Sequence, residues 1–215
     1  RLKGKTQVFV SHHGDHFRNR LTHTMEVAQL SRDVSRNLRL NEDLAETIAL
    51  SHDLGHTPFG HAGQEAMAEI MKEFDGTFEH NQQSRRIVEK LEKKSPYFQG
   101  LNLSWEVRDG LHKHRQIQGS ENAISKNGSL EAQVVDMCDQ IAYQNHDIDD
   151  GLRAGIFPLS ELEKLDIWRE ISSRVSRSQP EKIWISQAIS SLIKLMVGDM
   201  LTETIVHLEK YNPQK

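Results

Sequence analysis

The chain has one cysteine, Cys138, and that excludes an internal disulfide and the small stapled domains that depend on several. A reducing cytoplasm is therefore the expected compartment, and Cys138, set among Val134, Val135 and Ile141, reads as a small core residue. Aromatic residues make up only 6% of the chain, with 5 prolines and 13 glycines, a composition that argues against a sheet protein and against disorder. No apolar run is long enough to span a bilayer, and the N-terminus lacks the short apolar core of a secretion signal. The formal net charge of −4 leaves no basic excess to hold nucleic acid, so any anion-binding surface must be local. An initiator methionine is also absent before Arg1, and the expectation is a trimmed chain with segments missing at both ends.

What is present is 215 residues, enough for one well-buried domain, with 27% charged residues and a large complement of 12 histidines. Residues 1–20 are polar and basic and read as a solvated arm in which His12 and His13 have no role. From Leu21 to about Leu38 the apolar positions Val27, Leu30, Val34 and Leu38 form one helical stripe, and one turn back from Val27 lies His23. Asn41, followed by Glu42 and Asp43, is a helix start with a capping side chain and acids in the first turn. Its stripe of Leu44, Ala45, Ile48 and Ala49 continues onto His52 and Asp53, so both should be buried. Gly55 and Pro58 end that helix and put His56 and His61 in the loop beyond it.

Further helices are expected over Ala62–Phe74, after Ser84 with Ile87, Val88 and Leu91 inward, and from a Ser104 cap through Trp105, Val107 and Leu111. Residues 116–128 read as a mobile surface loop, and the pattern is helical again from Ser129. Ser160 and Glu163 form a capping box for a helix with Leu162, Leu165, Ile167 and Trp168. Ser178 and Pro180 open a last helix with a stripe of Ile185, Ile189, Leu192, Met196 and Met200. With no repeat and no convincing strand, the fold class is all-α, a helical bundle. The expected division is an arm over 1–20, a core over 21–155 and C-terminal helices over 156–215 that pack on the core or on a partner subunit.

On the helix after Ser129, Asp139 lies one turn after Val135 on a core-facing stripe, with Asp136 the competing choice. Taken singly, each inward histidine or acid has a plain structural explanation. An unpaired buried charge, however, costs several kcal/mol or more, and imidazoles and carboxylates converging from three helices make a mixed nitrogen and oxygen shell for a divalent ion.

The run His23, His52-Asp53, Asp139 resembles the H…HD…D pattern of the HD-domain metal phosphohydrolases. The flanking residues Arg20-Leu21-Thr22-His23-Thr24, HDLGHTPFGHAG over 52–63, and Asp139-Gln140-Ile141-Ala142-Tyr143 are similar to the dGTPase-like deoxynucleoside triphosphate triphosphohydrolases. The likeness runs from about Lys5-Thr6-Gln7-Val8-Phe9 to Asp150. It implies an HD-domain bundle that hydrolyses a dNTP to deoxynucleoside and inorganic triphosphate, with one divalent ion (Mn, Mg, Fe, Ni or Zn) held by His23, His52, Asp53 and Asp139. Such an ion lowers the pKa of bound water toward neutrality, and the poor 5′-alkoxide leaving group calls for an acid that an imidazole can supply.

By the same resemblance His61 is that acid. His56 and His80 lie near the phosphates, Arg20 contacts the triphosphate, Tyr143 and Asp147 face the deoxyribose, and Lys113 is a phosphate candidate. One residue departs from the pattern. Where the family has an acid three positions after the second loop histidine, this chain has Gln64, whose amide can still hold the ring from the substrate side of the site but stabilises imidazolium less. The alternative readings are His80 as a plain helix start, Tyr143 as core edge and Asp147 as a solvated acid. The resemblance further implies a homo-oligomer and a possible nucleotide or single-stranded DNA effector. Two other functions compete: another HD-type phosphohydrolase (5′-nucleotidase or phosphodiesterase), and a nucleotide-binding regulatory module without turnover.

Overall fold

A computed structural model describes residues 1–8, 18–112 and 128–211. His12, His13 and Lys113, with the stretch 116–127, lie outside the described residues. Those described are helical, with two isolated bridges, Thr6–Asn19 and Lys93–Gly100, and no strand among them. None of the described helices is long and apolar enough to cross a membrane. They form two compact units, Arg1–Cys138 and Asp139–Lys215.

The first unit is built on two paired helices, α1 (Arg20–Asn37) and α2 (Glu42–His52). Asn19 caps α1 by accepting from the Leu21 and Thr22 N–H groups, and the Thr22 hydroxyl closes a capping box by accepting from the Asn19 N–H. Asn41 caps α2 as its sequence indicates, accepting from Asp43 and Leu44. Val27 and Val34 of α1 and Ala45, Ile48 and Ala49 of α2 are fully buried, and on these same faces His23, His52 and Asp53 are buried too. The arm is less solvated than its polarity indicates. Leu2 and Gln7 are buried, and Lys5 is half-buried.

Helix α3 (Gly60–Lys72) buries only Gly60 and leaves Met67 and Ile70 40% and 54% exposed, so it adds little to the core. Helix α4 (His80–Arg86), capped by the Glu79 carboxylate, continues into a π-helical turn over Ile87–Leu91. That wider turn, closed by the Glu92 N–H on the Ile87 carbonyl at 3.0 Å, rotates the next side chain off the stripe. Ile87 and Val88 are buried as expected, but Leu91 is 42% exposed rather than inward. A short α5 (Trp105–Gly110) buries Val107; Ser104 stands at its cap position, but its side chain makes no capping bond to the helix.

The long α6 (Leu130–Arg153) brings Ala132, Val134, Val135 and a fully buried Cys138 to the first unit and enters the second at Asp139. It runs through Gly151 and ends at Arg153. In the second unit α7 (Leu159–Leu162) and α8 (Asp166–Ser173) stand where one helix was expected. Leu165 takes an extended conformation between them, and Pro158 holds the cap position, so Ser160 lies inside α7 and caps nothing.

With α9 (Glu181–Tyr211) they enclose a core of Leu162, Trp168, Trp184, Ala188 and Ile189. Trp168 and Trp184 meet edge to face at 6.2 Å, and the Arg177 guanidinium lies 3.8 Å over the Trp184 ring. Trp184→Ala is expected to cost about 3–5 kcal/mol, read as a lowered urea midpoint followed by circular dichroism.

Candidate metal centre

Four chain ends converge in the first unit. Arg20 and His23 lie in the first turn of α1, His52 and Asp53 end α2, His61 opens α3 and His80 opens α4. His56 sits in the tight turn after α2. Phe59 and Gly60 take successive left-handed conformations (φ 65° and 57°), which reverse the chain into α3 and set an exposed His61 at its second position.

Asp53 is the hub. Its Oδ2 accepts from Arg20 Nη1 at 2.7 Å, with both side chains more than nine-tenths buried. Its Oδ1 lies 3.3 Å from His52 Nε2 and 3.4 Å from His56 Nε2. The rings of His23 and His52 approach edge to face at 5.8 Å, and His56 stacks on His80 at 3.9 Å. His61 stands edge-on to both, 5.7 Å from His56 and 6.1 Å from His80.

Hydrogen bonding fixes the tautomer of His52. Its Nδ1 is 2.6 Å from the Ala49 carbonyl, which can only accept, so Nδ1 carries the proton. In the neutral ring Nε2 then turns a lone pair toward Asp53 Oδ1, and two electron-rich atoms 3.3 Å apart in a buried site need a cation between or beside them. A divalent ion meets that need, and the backbone carbonyl behind the ring is the usual outer partner of a ligating histidine. Asp53, His56 and His80 also bring ligand atoms within 4.8 Å of one another, a spacing that a single ion can span.

The electrostatics agree. Burial by itself would raise the Asp53 carboxyl, but His52, Arg20 and His56 outweigh it and hold the group well below the usual carboxylate range. Burial, with Arg20, His80 and His61 adding to it against Asp53, pushes His56 down to about 3, so its ring is neutral. Burial also lowers His80, against the pull of Glu79 and Asp53.

Two contacts lock α4 against the end of α2. The Ser84 hydroxyl donates to the His52 carbonyl at 2.7 Å and accepts from the Gly55 N–H at 2.8 Å. Gln64 holds His80, not His61: its Oε1 accepts from the His80 N–H at 3.0 Å and faces His80 Nδ1 at 2.6 Å. An amide oxygen only accepts, so His80 too carries its proton on Nδ1.

In the second unit, Asp139 is half-buried on α6, Tyr143 is 43% exposed and Asp147 is half-buried. Asn145, His146, Asp149 and Asp150 of the same helix are buried polar residues that periodicity did not single out. Lys5 and Ser84 also escaped the sequence reading, because their partners lie far away along the chain.

The sequence model of the family described as HD domain matches residues 20–144. The chain is 46% identical to a deoxyguanosinetriphosphate triphosphohydrolase-like protein of Geobacter sulfurreducens, over 98% of this chain and 57% of that protein. It is 50% identical to a protein of the same name from Azoarcus sp., over 95% of this chain and 56% of that one. A Ralstonia pickettii protein, also so named, is 44% identical over 100% of this chain and 58% of its own length. The chain thus spans less than two thirds of the curated relatives it matches. With the matched stretch covering more than half of the chain and containing both the paired helices and the histidine cluster at their ends, the chain belongs to the HD domain family.

Proposed function

We propose that this chain carries the metal-dependent phosphohydrolase centre of a dNTP triphosphohydrolase, with one divalent ion held by His23, His52, Asp53 and Asp139. The observation that carries the reading is the buried His52 Nε2 facing Asp53 Oδ1 at 3.3 Å, with the opposite ring nitrogen committed to a backbone carbonyl. The names of the relatives support the substrate class, and the HD family match supports the ligand set. When bound, the ion supplies Lewis-acid polarisation of a phosphoryl oxygen and a water of lowered pKa.

The chain's own residues have separate tasks. Arg20 positions Asp53 through Oδ2 and adds positive charge where a triphosphate would lie. His56, its neutral ring stacked on His80, offers its N–H to a phosphate oxygen, and His80 backs that ring from the other side. His61, exposed at the mouth of the cluster, supplies the proton that the departing 5′-oxygen takes. The water oxygen remains on the α-phosphorus, so the products are deoxynucleoside and inorganic triphosphate. In this reading Tyr143 and Asp147 pack on the deoxyribose and Lys113 meets phosphate. Gln64 acts at one remove, through His80.

The test is incubation of the protein with each of the four dNTPs and Mn or Mg, with nucleoside and triphosphate products resolved. Triphosphate release from at least one dNTP is expected, and His61→Ala should lower it about 10²–10⁴-fold while metal content stays at the wild-type level. Orthophosphate from a nucleoside monophosphate, with no triphosphate, would point instead to the nucleotidase-type reading. A second reading is a nucleotide-binding module without turnover. Gln64 favours it, as an amide at a position where the resembled family has an acid. Binding without hydrolysis across several metals would establish it.

A further inference from the structure

We infer that Lys5, from the N-terminal arm, is a positioning residue for the centre, holding the turn from Asp53 to His56 so that the His56 ring meets its stacking partner and the phosphates. The inference rests on the function proposed above for His56. The Lys5 ammonium donates to the His56 carbonyl at 2.5 Å and approaches the Leu54 carbonyl at 3.4 Å. These carbonyls lie in the turn beyond α2, outside any helix ladder, and a charged donor is a strong partner for them.

The arm does not simply drape over this turn; it is pinned on its other side. The Lys5 carbonyl accepts the Arg20 N–H at 3.1 Å, the Lys5 N–H donates to Leu2 at 3.1 Å, and Leu2 is itself buried. Thr6, the next residue, bridges to Asn19, the cap of α1. A closed circuit results. From the Lys5 backbone the path runs to Arg20, from Arg20 through its guanidinium to Asp53, along three peptide units to His56, and back through the ammonium to Lys5. Each corner carries a residue of the centre or touches one.

His56 is the corner most sensitive to its loss. Asp53 is held independently by Arg20, and His52 by the Ala49 carbonyl, whereas His56 is fixed through the Asp53 carbonyl to which its own N–H donates at 3.2 Å and through Lys5. Without the ammonium, the His56 carbonyl loses its charged donor, and the peptide beyond Gly55, whose own N–H stays on the Ser84 hydroxyl, is free to turn. The ring then leaves the 3.9 Å stack on His80 while the metal ligands stay in place.

The test compares Lys5→Met, which keeps the apolar stem, with Lys5→Arg, which restores a cation. Each is normalised to chains that carry metal. Lys5→Met should lower kcat about 10- to 100-fold, with metal content per chain as in the wild type, because an ångström of misplacement in a catalytic group costs up to about 10²-fold. Lys5→Arg should recover most of that loss. A resonance of the His56 ring, assigned with His56→Gln, should shift in Lys5→Met and return in Lys5→Arg.

An unmoved ring resonance, or a kcat per metal-loaded chain within twofold of wild type in Lys5→Met, overturns the inference, as does a Lys5→Arg variant no better than Lys5→Met. Failure of the dNTP reading is separate, since it leaves the wild type inactive on all four nucleotides while the ring resonance still reports on Lys5.

Discussion

Replacing Asp53 with alanine is expected to empty the centre of metal and abolish turnover. The rate loss should be about a thousandfold or more, the equivalent of the several kcal/mol that a bound ion contributes to phosphoryl chemistry. The carboxylate does two jobs, and the substitution removes both. On Oδ1 it faces His52 and His56, and on Oδ2 it neutralises an Arg20 guanidinium that is itself almost wholly buried. Alanine leaves that guanidinium uncompensated, a change that in buried pairs costs about 3–5 kcal/mol of stability.

Asp53→Asn separates the two jobs. Its amide oxygen can still accept from Arg20 and the volume is kept, so the chain should fold, yet the charge that holds a cation is gone. Metal analysis by plasma emission, thermal denaturation and triphosphate release measure the three quantities. Full metal content with undiminished turnover in a folded Asp53→Asn protein would remove Asp53 from the ligand set.

The second large effect should come from a residue with no functional group. At Gly55 an added Cβ would stand 2.2 Å from the His80 carbonyl oxygen, 2.2 Å from the Ser84 nitrogen and 2.7 Å from the Gln83 carbonyl carbon. All three are backbone atoms, so no side-chain rotation relieves the clash; α4 must move away from the end of α2 as a unit. That separation breaks the Ser84 bridge between His52 and Gly55 and carries His80 out of its stack on His56. Overpacking of this kind costs about 1–3 kcal/mol or more, and the displaced His80 should lower turnover about 10²-fold. Gly55→Ala should therefore melt earlier and lose activity, with metal still bound by ligands outside α4. Wild-type turnover in Gly55→Ala would show that the close approach of α4 to α2 is not needed for catalysis.

Both predictions concern the same few ångströms, but only one of these residues could be recognised beforehand. Asp53 follows a helical stripe, and a charged residue that periodicity turns inward is conspicuous. Gly55 reads locally as a helix stop; its contacts with His80 and Ser84, 25 and 29 residues later, leave no trace in the local pattern. Gln64 shows the same limit. Its distance from His61 along the chain associates it with that ring, while folding brings its amide oxygen to His80. The π-helical turn that exposes Leu91 and the extended Leu165 that splits α7 from α8 are likewise set by packing, since a 3.6-residue period continues through both stretches.

The sequence by itself determined most of the helices, the cap at Asn41, and the inward faces that bury His23, His52 and Asp53, because a helical period and a short-range cap are properties of neighbouring residues. Only the tertiary structure decided how the ends of α1, α2, α3 and α4 meet: Arg20 on Asp53, Ser84 on His52, Gln64 on His80 and Lys5 on His56. Those pairings join residues 16 to 51 positions apart, and which partner each polar group finds depends on the geometry of the packed helices and the cost of leaving a buried group without one.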